Sequence, residues 1–177
     1  MPGSDISNTK NTKKIALGGI LLTLTVVSVF FATIAPTGRL SLYALSSFFI
    51  SIVVIESGAK SGWIFYISSC LLSLIVVQNR IGLIPYISFF GIYGLVKYYI
   101  EKINRSVPEY LLKAAFFSIN LAIAVFLAGQ VFSYTFAFRF PWWLAIGGLE
   151  IVFVVYDYVY TLFIRYYMIN LKNKLKI

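Results

Sequence analysis

A chain of 177 residues that is 60% hydrophobic and only 12% charged is no water-soluble domain; it reads as an integral membrane protein. Its formal net charge of +9 invites a nucleic-acid partner, but the cations gather in the breaks between apolar runs, which argues for a topology signal instead. With no His, imidazole acid–base catalysis and zinc-type membrane protease chemistry fall away, and the single Cys70 forms no internal disulfide.

Residues 1–14, MPGSDISNTKNTKK, are polar and are expected to form a disordered cytoplasmic tail. They lack the short apolar core and small-residue cleavage site of a signal peptide. The first apolar run, Ile15–Ile34, is long enough to cross a bilayer, and Gly19 with Thr23 forms a small-xxx-small pair that admits a neighbouring helix. Pro36 and Gly38 break it, leaving Arg39 at the interface. The second run, Leu40–Ile55, carries Tyr43, Ser47 and Ser51 at four-residue spacing, a stripe read first as helix packing. The turn Glu56–Gly62 (ESGAKSG) is expected to pair the helix-end acid Glu56 with Lys60 four residues on, with glycines at both break points.

The third run, Gly62–Val77, ends in the polar cluster Gln78, Asn79 and Arg80. The fourth, Ile81–Ile100, contains Pro85, which kinks a helix and frees backbone groups that need partners inside a bundle. Its charged end, 97–113, reads as an amphipathic shoulder or a docking surface. The fifth, Tyr110–Phe132, holds Asn120 near mid-span and Gln130 nearer the far end, then runs through Tyr134 and Arg139 to Pro141. In the sixth, Trp142–Tyr166, a single helical stripe joins Trp143, Gly147, Glu150, Val154, Asp157 and Thr161. A carboxylate at mid-bilayer costs about 2.5–3.5 kcal/mol, so this stripe is expected to face helices or water, with both acids protonated or paired, or acting in a site.

Charge sets the expected orientation. Lys10, Lys13, Lys14, Lys60, Lys97, Lys102, Arg105, Lys113, Arg165, Lys172, Lys174 and Lys176 fall on one side; Arg39, Arg80 and Arg139 fall on the other. The positive-inside rule then predicts an all-α bundle of six transmembrane helices over 15–167, both termini cytoplasmic, with a basic tail at 168–177. The expected location is the cell membrane.

No P-loop, nucleophile elbow, metal spacing or dinucleotide turn appears, so neither an enzyme nor a cofactor is expected. A small-molecule site is expected in the outer half of the bundle. Arg39, Arg80 and Arg139 offer planar forks for an acidic group; Tyr86, Tyr134, Trp142 and Trp143 offer rings for stacking. Asn79, Asn120, Gln130 and Glu150 supply donors and acceptors. The bland alternative is arginines snorkelling to lipid phosphates beside an aromatic belt.

The lysine-led first helix KKIALGGILLTL, the P-T-G-R loop, the E-S-G-A-K-S-G turn, and a last helix with GGLE and a basic tail together resemble the S components of energy-coupling-factor vitamin transporters. The resemblance covers most of the chain. It implies capture of a vitamin-like nutrient on the outer face of a bacterial plasma membrane, a transmembrane coupling subunit and two ATPases as partners, contact with membrane lipid, and no ATP site on this chain. Where that family often carries an alanine-xxx-alanine docking pattern in helix 1, this sequence offers Gly19–Thr23. Two other readings stand beside it: a scaffold similar to the rod-shape-determining membrane proteins, and a small proton or ion channel relaying through Glu150 and Asp157.

Overall fold

The computed structural model of the chain describes residues 3–103, 105–132 and 142–171; side chains are described over 12–103, at 105, and over 108–124 and 147–170. Every element among them is helical, in this order: α1 (Gly3–Ile34), α2 (Arg39–Val76), a 3₁₀ turn at Ile81–Leu83, a π turn at Tyr86–Phe90, α3 (Gly91–Glu101), α4 (Ser106–Phe132), α5 (Trp142–Tyr166), and a closing π turn at Tyr167–Leu171. Four stretches of the described residues are long and apolar enough to cross a membrane: Thr12–Ile34, Arg39–Val76, Ile81–Glu101 and Gly147–Asn170. The chain divides into two compact units, Met1–Tyr98 with Ile164–Ile177, and Tyr99–Phe163.

In the first unit, α1 starts at Gly3 rather than near Ile15, because a helix nucleated by an apolar run propagates cheaply into polar sequence. Its buried face is Leu21, Thr25, Ser28, Val29 and Ala32, a helical stripe of mostly small side chains. Thr25 returns its hydroxyl proton to the Leu21 carbonyl at 2.8 Å, so burial leaves no unpaired donor there. Gly19 and Thr23 lie on the exposed side instead, with nothing within 4 Å of a Cβ placed on Gly19.

At 38 residues α2 would be about 57 Å long if straight, roughly twice a hydrocarbon core. It is not straight. Gly58 takes φ 84°, ψ 168°, a conformation essentially confined to glycine. A Cβ on Gly62 would lie 2.5 Å from Val54 Cγ2, although residues eight apart in a straight helix are separated by about 12 Å. The chain therefore folds back on itself at Gly58, and Gly62 is small because the halves touch there. The fold-back also overturns the expected Glu56–Lys60 pairing: Glu56 is buried and accepts the Tyr167 hydroxyl at 3.2 Å, while Lys60 is exposed. The predicted stripe Tyr43, Ser47 and Ser51 is buried, at 4%, 0% and 3% exposure.

Folding back brings the end of α1, the start of α2 and the residues after α2 to one end of this unit. Thr33 stands 2.9 Å from where a Gly82 Cβ would be, and the Tyr43 hydroxyl donates to the Gly82 carbonyl. Arg39 Nε donates to the Ala35 carbonyl at 2.7 Å, tying the loop between α1 and α2.

The second unit is held by α4 against α5. Phe117 and Phe153 stack with centroids 4.6 Å apart and planes 13° from parallel, and Tyr160 is fully buried. Glu109 in the first turn of α4 suits the positive end of the helix dipole.

Candidate functional site

Within the apolar stretch Ile81–Glu101 the helix is irregular around Pro85. Proline has no N–H to give the helix and its ring crowds the preceding turn. The chain answers with a tight 3₁₀ turn before it and a wide π turn after it, whose Gly91 N–H reaches back to the Tyr86 carbonyl. Gly91 permits this geometry: a Cβ there would sit 2.8 Å from the Tyr86 oxygen and 2.9 Å from the Tyr66 ring. Such π turns recur at functional sites, and irregular backbone at membrane depth survives only where protein or a cavity covers it.

Here hydroxyls from α2 cover it. Tyr66 donates to the Ile87 carbonyl at 2.7 Å and Tyr43 to that of Gly82. Ser69 gives its proton to the Tyr66 carbonyl at 2.8 Å, so the 2.6 Å contact between Ser69 Oγ and the Tyr86 hydroxyl must have Tyr86 as donor. Tyr86, Ser46, Ser47, Ser69 and Ser73 are all 0% exposed. Aromatic faces close the cluster: Tyr43 stacks on Phe90 at 5.6 Å, and Phe89 tilts against Tyr93 at 5.4 Å. The cluster is polar and carries no formal charge.

Ser73, one turn further along α2 from Ser69, is unsatisfied. Ser73 Oγ is the only fully buried side-chain oxygen or nitrogen among the described residues without a hydrogen-bond partner. Leaving such a hydroxyl unpaired costs about 1–3 kcal/mol, which marks a place where a water or a ligand atom is wanted.

The predicted site residues divide by location. Tyr86 is at the centre of the cluster, and Asn79 stands at its edge, its Oδ1 accepting from the Gly82 N–H at 3.2 Å. Arg39 and Arg80 are exposed, Arg39 being engaged with its own loop. In the second unit Asn120 is half-buried and donates to the Phe116 carbonyl one turn back at 2.8 Å. Glu150 is exposed, where an interior position was expected. Gln130, Trp142 and Trp143 lie on α4 and α5 with side chains outside the described set, and Tyr134 and Arg139 fall outside the described residues altogether.

No family model, curated protein or solved structure matches this chain.

The last two helices hold a charged cluster that sequence reasoning only half anticipated. Lys113 Nζ, on a side chain 4% exposed, reaches Glu109 at 2.9 Å, Glu101 at 3.0 Å and Asp157 at 3.2 Å. Asp157 is thus paired, the structural role weighed for it from sequence, and its partner is a residue that had been counted with the cytoplasmic cations. Thr161 donates to the Asp157 backbone carbonyl at 2.9 Å. An acid held this closely by an ammonium pins α4, α5 and the end of α3 in one register.

Ser69, Ser73 and Tyr66 were missed as site residues. Their signal was present: with Tyr66 they follow one another at three- and four-residue spacing along the second half of α2, a helical stripe in an otherwise apolar run.

Proposed function

We propose that this protein is the non-enzymatic, substrate-binding subunit of a membrane uptake system for a small, ring-bearing nutrient, of the energy-coupling-factor S-component type. In this reading α2 counts as two spans divided at Gly58, giving six in all, with both termini in the cytoplasm. A separate transmembrane coupling subunit and two ATPases supply the energy. The observation that carries the proposal is the irregular helix at Pro85: a π turn within an apolar stretch whose backbone carbonyls take tyrosine hydroxyls, with buried serines nearby on α2 and Ser73 left wanting a partner. Interrupted helices of this kind are where transporters meet their substrates.

Charge supports the orientation. Within the first unit, Arg39 and Arg80 lie at the end carrying this cluster, whereas Lys13, Lys14 and Lys60 lie towards the end where α2 folds back. The cluster would then open towards the outside. Its neutral hydroxyls and carbonyls favour amide, hydroxyl or ring-nitrogen groups on the ligand, with Tyr43, Phe89, Phe90 and Tyr93 for a flat ring, and the exposed arginines near the rim for any acidic group.

The test is native mass spectrometry of the gently solubilised full chain, followed by thermal protection with the molecule found. A co-purified small nutrient whose protection falls at least tenfold in Tyr86→Phe or Ser73→Ala supports the reading. A protein that carries no small molecule and co-purifies with cell-envelope components would instead favour the scaffold, and steady ion flux in liposomes the channel.

A further inference from the structure

A cavity lies at the opposite end of the first unit from the hydroxyl cluster, and its chemistry is different. It is a groove of about 560 Å³ between α1 and the two halves of α2. That volume falls in the range of small-molecule sites. Its rim is basic: Lys14 lines it, half-buried, and Lys13 precedes it, while Lys60 stands exposed on the fold-back turn. Among the described residues no carboxylate lines it, and Glu56 is turned to the Tyr167 hydroxyl.

Below the rim the walls are mostly apolar, interrupted by Ser61 and Ser68. Leu22, eight residues past Lys14 and so about 12 Å along the helix, lines the groove with Ile64 and Phe65. Gly18 opens its floor, with nothing within 4 Å of a Cβ placed there. Among the described residues, the Ser57 hydroxyl in the wall makes no hydrogen bond, so a donor is available beside Lys14. Lys14 also stands directly before the apolar run Ile15–Ile34. The cation therefore sits at headgroup level and the apolar walls at acyl-chain level.

A site that is cationic at the bilayer surface and apolar beneath it complements one kind of molecule. We propose that this groove binds an anionic phospholipid, its phosphodiester at Lys14 and Ser57 and an acyl chain along Leu22, Ile64 and Phe65. The inference needs only the membrane location of the chain and is independent of the uptake reading.

The experiment titrates the full-length protein, in neutral detergent, with phosphatidylglycerol, phosphatidylcholine and glycerol 1-phosphate, counting bound copies by native mass spectrometry. Phosphatidylglycerol should bind with at least tenfold preference over phosphatidylcholine, and glycerol 1-phosphate should not compete. Lys14→Gln should weaken phosphatidylglycerol about fivefold, equivalent to about 1 kcal/mol for one cation at headgroup level, while Lys13→Gln stays within twofold. Gly18→Leu, whose Cβ meets no atom within 4 Å and whose longer side chain takes up space in the groove, should reduce occupancy at least tenfold and leave the lipid-free melting temperature unchanged. Equal binding of the two lipids overturns the proposal. So does wild-type lipid binding in Gly18→Leu, or an equal loss in Lys13→Gln and Lys14→Gln, which would mean diffuse surface attraction. Competition by glycerol 1-phosphate at equal concentration would assign the groove to a free phosphate ester and also overturn it.

Discussion

Replacing Lys113 with methionine keeps the length of the side chain and removes its charge, and the consequence follows from what the ammonium holds. Three carboxylates lie within 3.2 Å of it, on side chains 12% exposed at Asp157, 24% at Glu109 and 35% at Glu101. Removing one partner of a buried pair typically costs about 3–5 kcal/mol, because the remaining charge stays desolvated. Glu101 sees enough water to contribute little, and Glu109 somewhat more, so most of the loss arises at Asp157. The expected effect is about 3 kcal/mol. Asp157→Leu should cost less, since Lys113 keeps Glu101 and Glu109. The double variant Lys113→Met/Asp157→Leu should be more stable than Lys113→Met alone, with a coupling energy of at least about 1 kcal/mol. Reversible denaturant unfolding in mixed micelles measures all three, with Lys102→Met on the exposed neighbour as reference. If Lys113→Met loses no more than Lys102→Met, or the double-variant cycle shows no coupling, the cluster does not pin these helices.

Gly58→Ala should destabilise the chain by about 1–3 kcal/mol in the same assay, because φ 84°, ψ 168° is denied to alanine; an unchanged midpoint would mean that the fold-back tolerates another backbone geometry. Without ligand, Ser73→Ala should be neutral or stabilising by up to about 1 kcal/mol, since it deletes an unsatisfied hydroxyl; a loss above about 1 kcal/mol would reveal a partner for that oxygen. Tyr86→Phe removes the bond to Ser69 and should cost about 1 kcal/mol, read as a lower melting temperature with helicity retained. In a Cys70→Ser background, thiol labelling of intact cells should modify Thr37→Cys and Gln78→Cys but spare Lys60→Cys, and the reverse pattern would invert the orientation.

The sequence determined where helices run and where they stop. Long apolar runs, and the breakers Pro36, Gly38, Gly58 and Pro85, are local signals, so the ends of the apolar runs were legible within a few residues for α1's far end, α2, α4 and α5. The Tyr43, Ser47 and Ser51 stripe was also visible as a packing face, because helical spacing puts those residues on one side whatever they meet. What they meet was not legible. Glu56 finds Tyr167 from 111 residues away, and Lys113 finds Asp157 across 44. Those pairings depend on which helices are neighbours and in what register, which neither periodicity nor charge count carries. The same holds for Glu150 and Asp157: seven residues apart on one helix, they share a face, yet among the described residues only Asp157 has an ammonium at its level. Tertiary packing also decided the form of the Pro85 break. Proline dictates that a helical hydrogen bond is lost, but the π turn forms where Gly91 lets the backbone close up and where Tyr66 and Tyr43 of α2 arrive to donate to the Ile87 and Gly82 carbonyls.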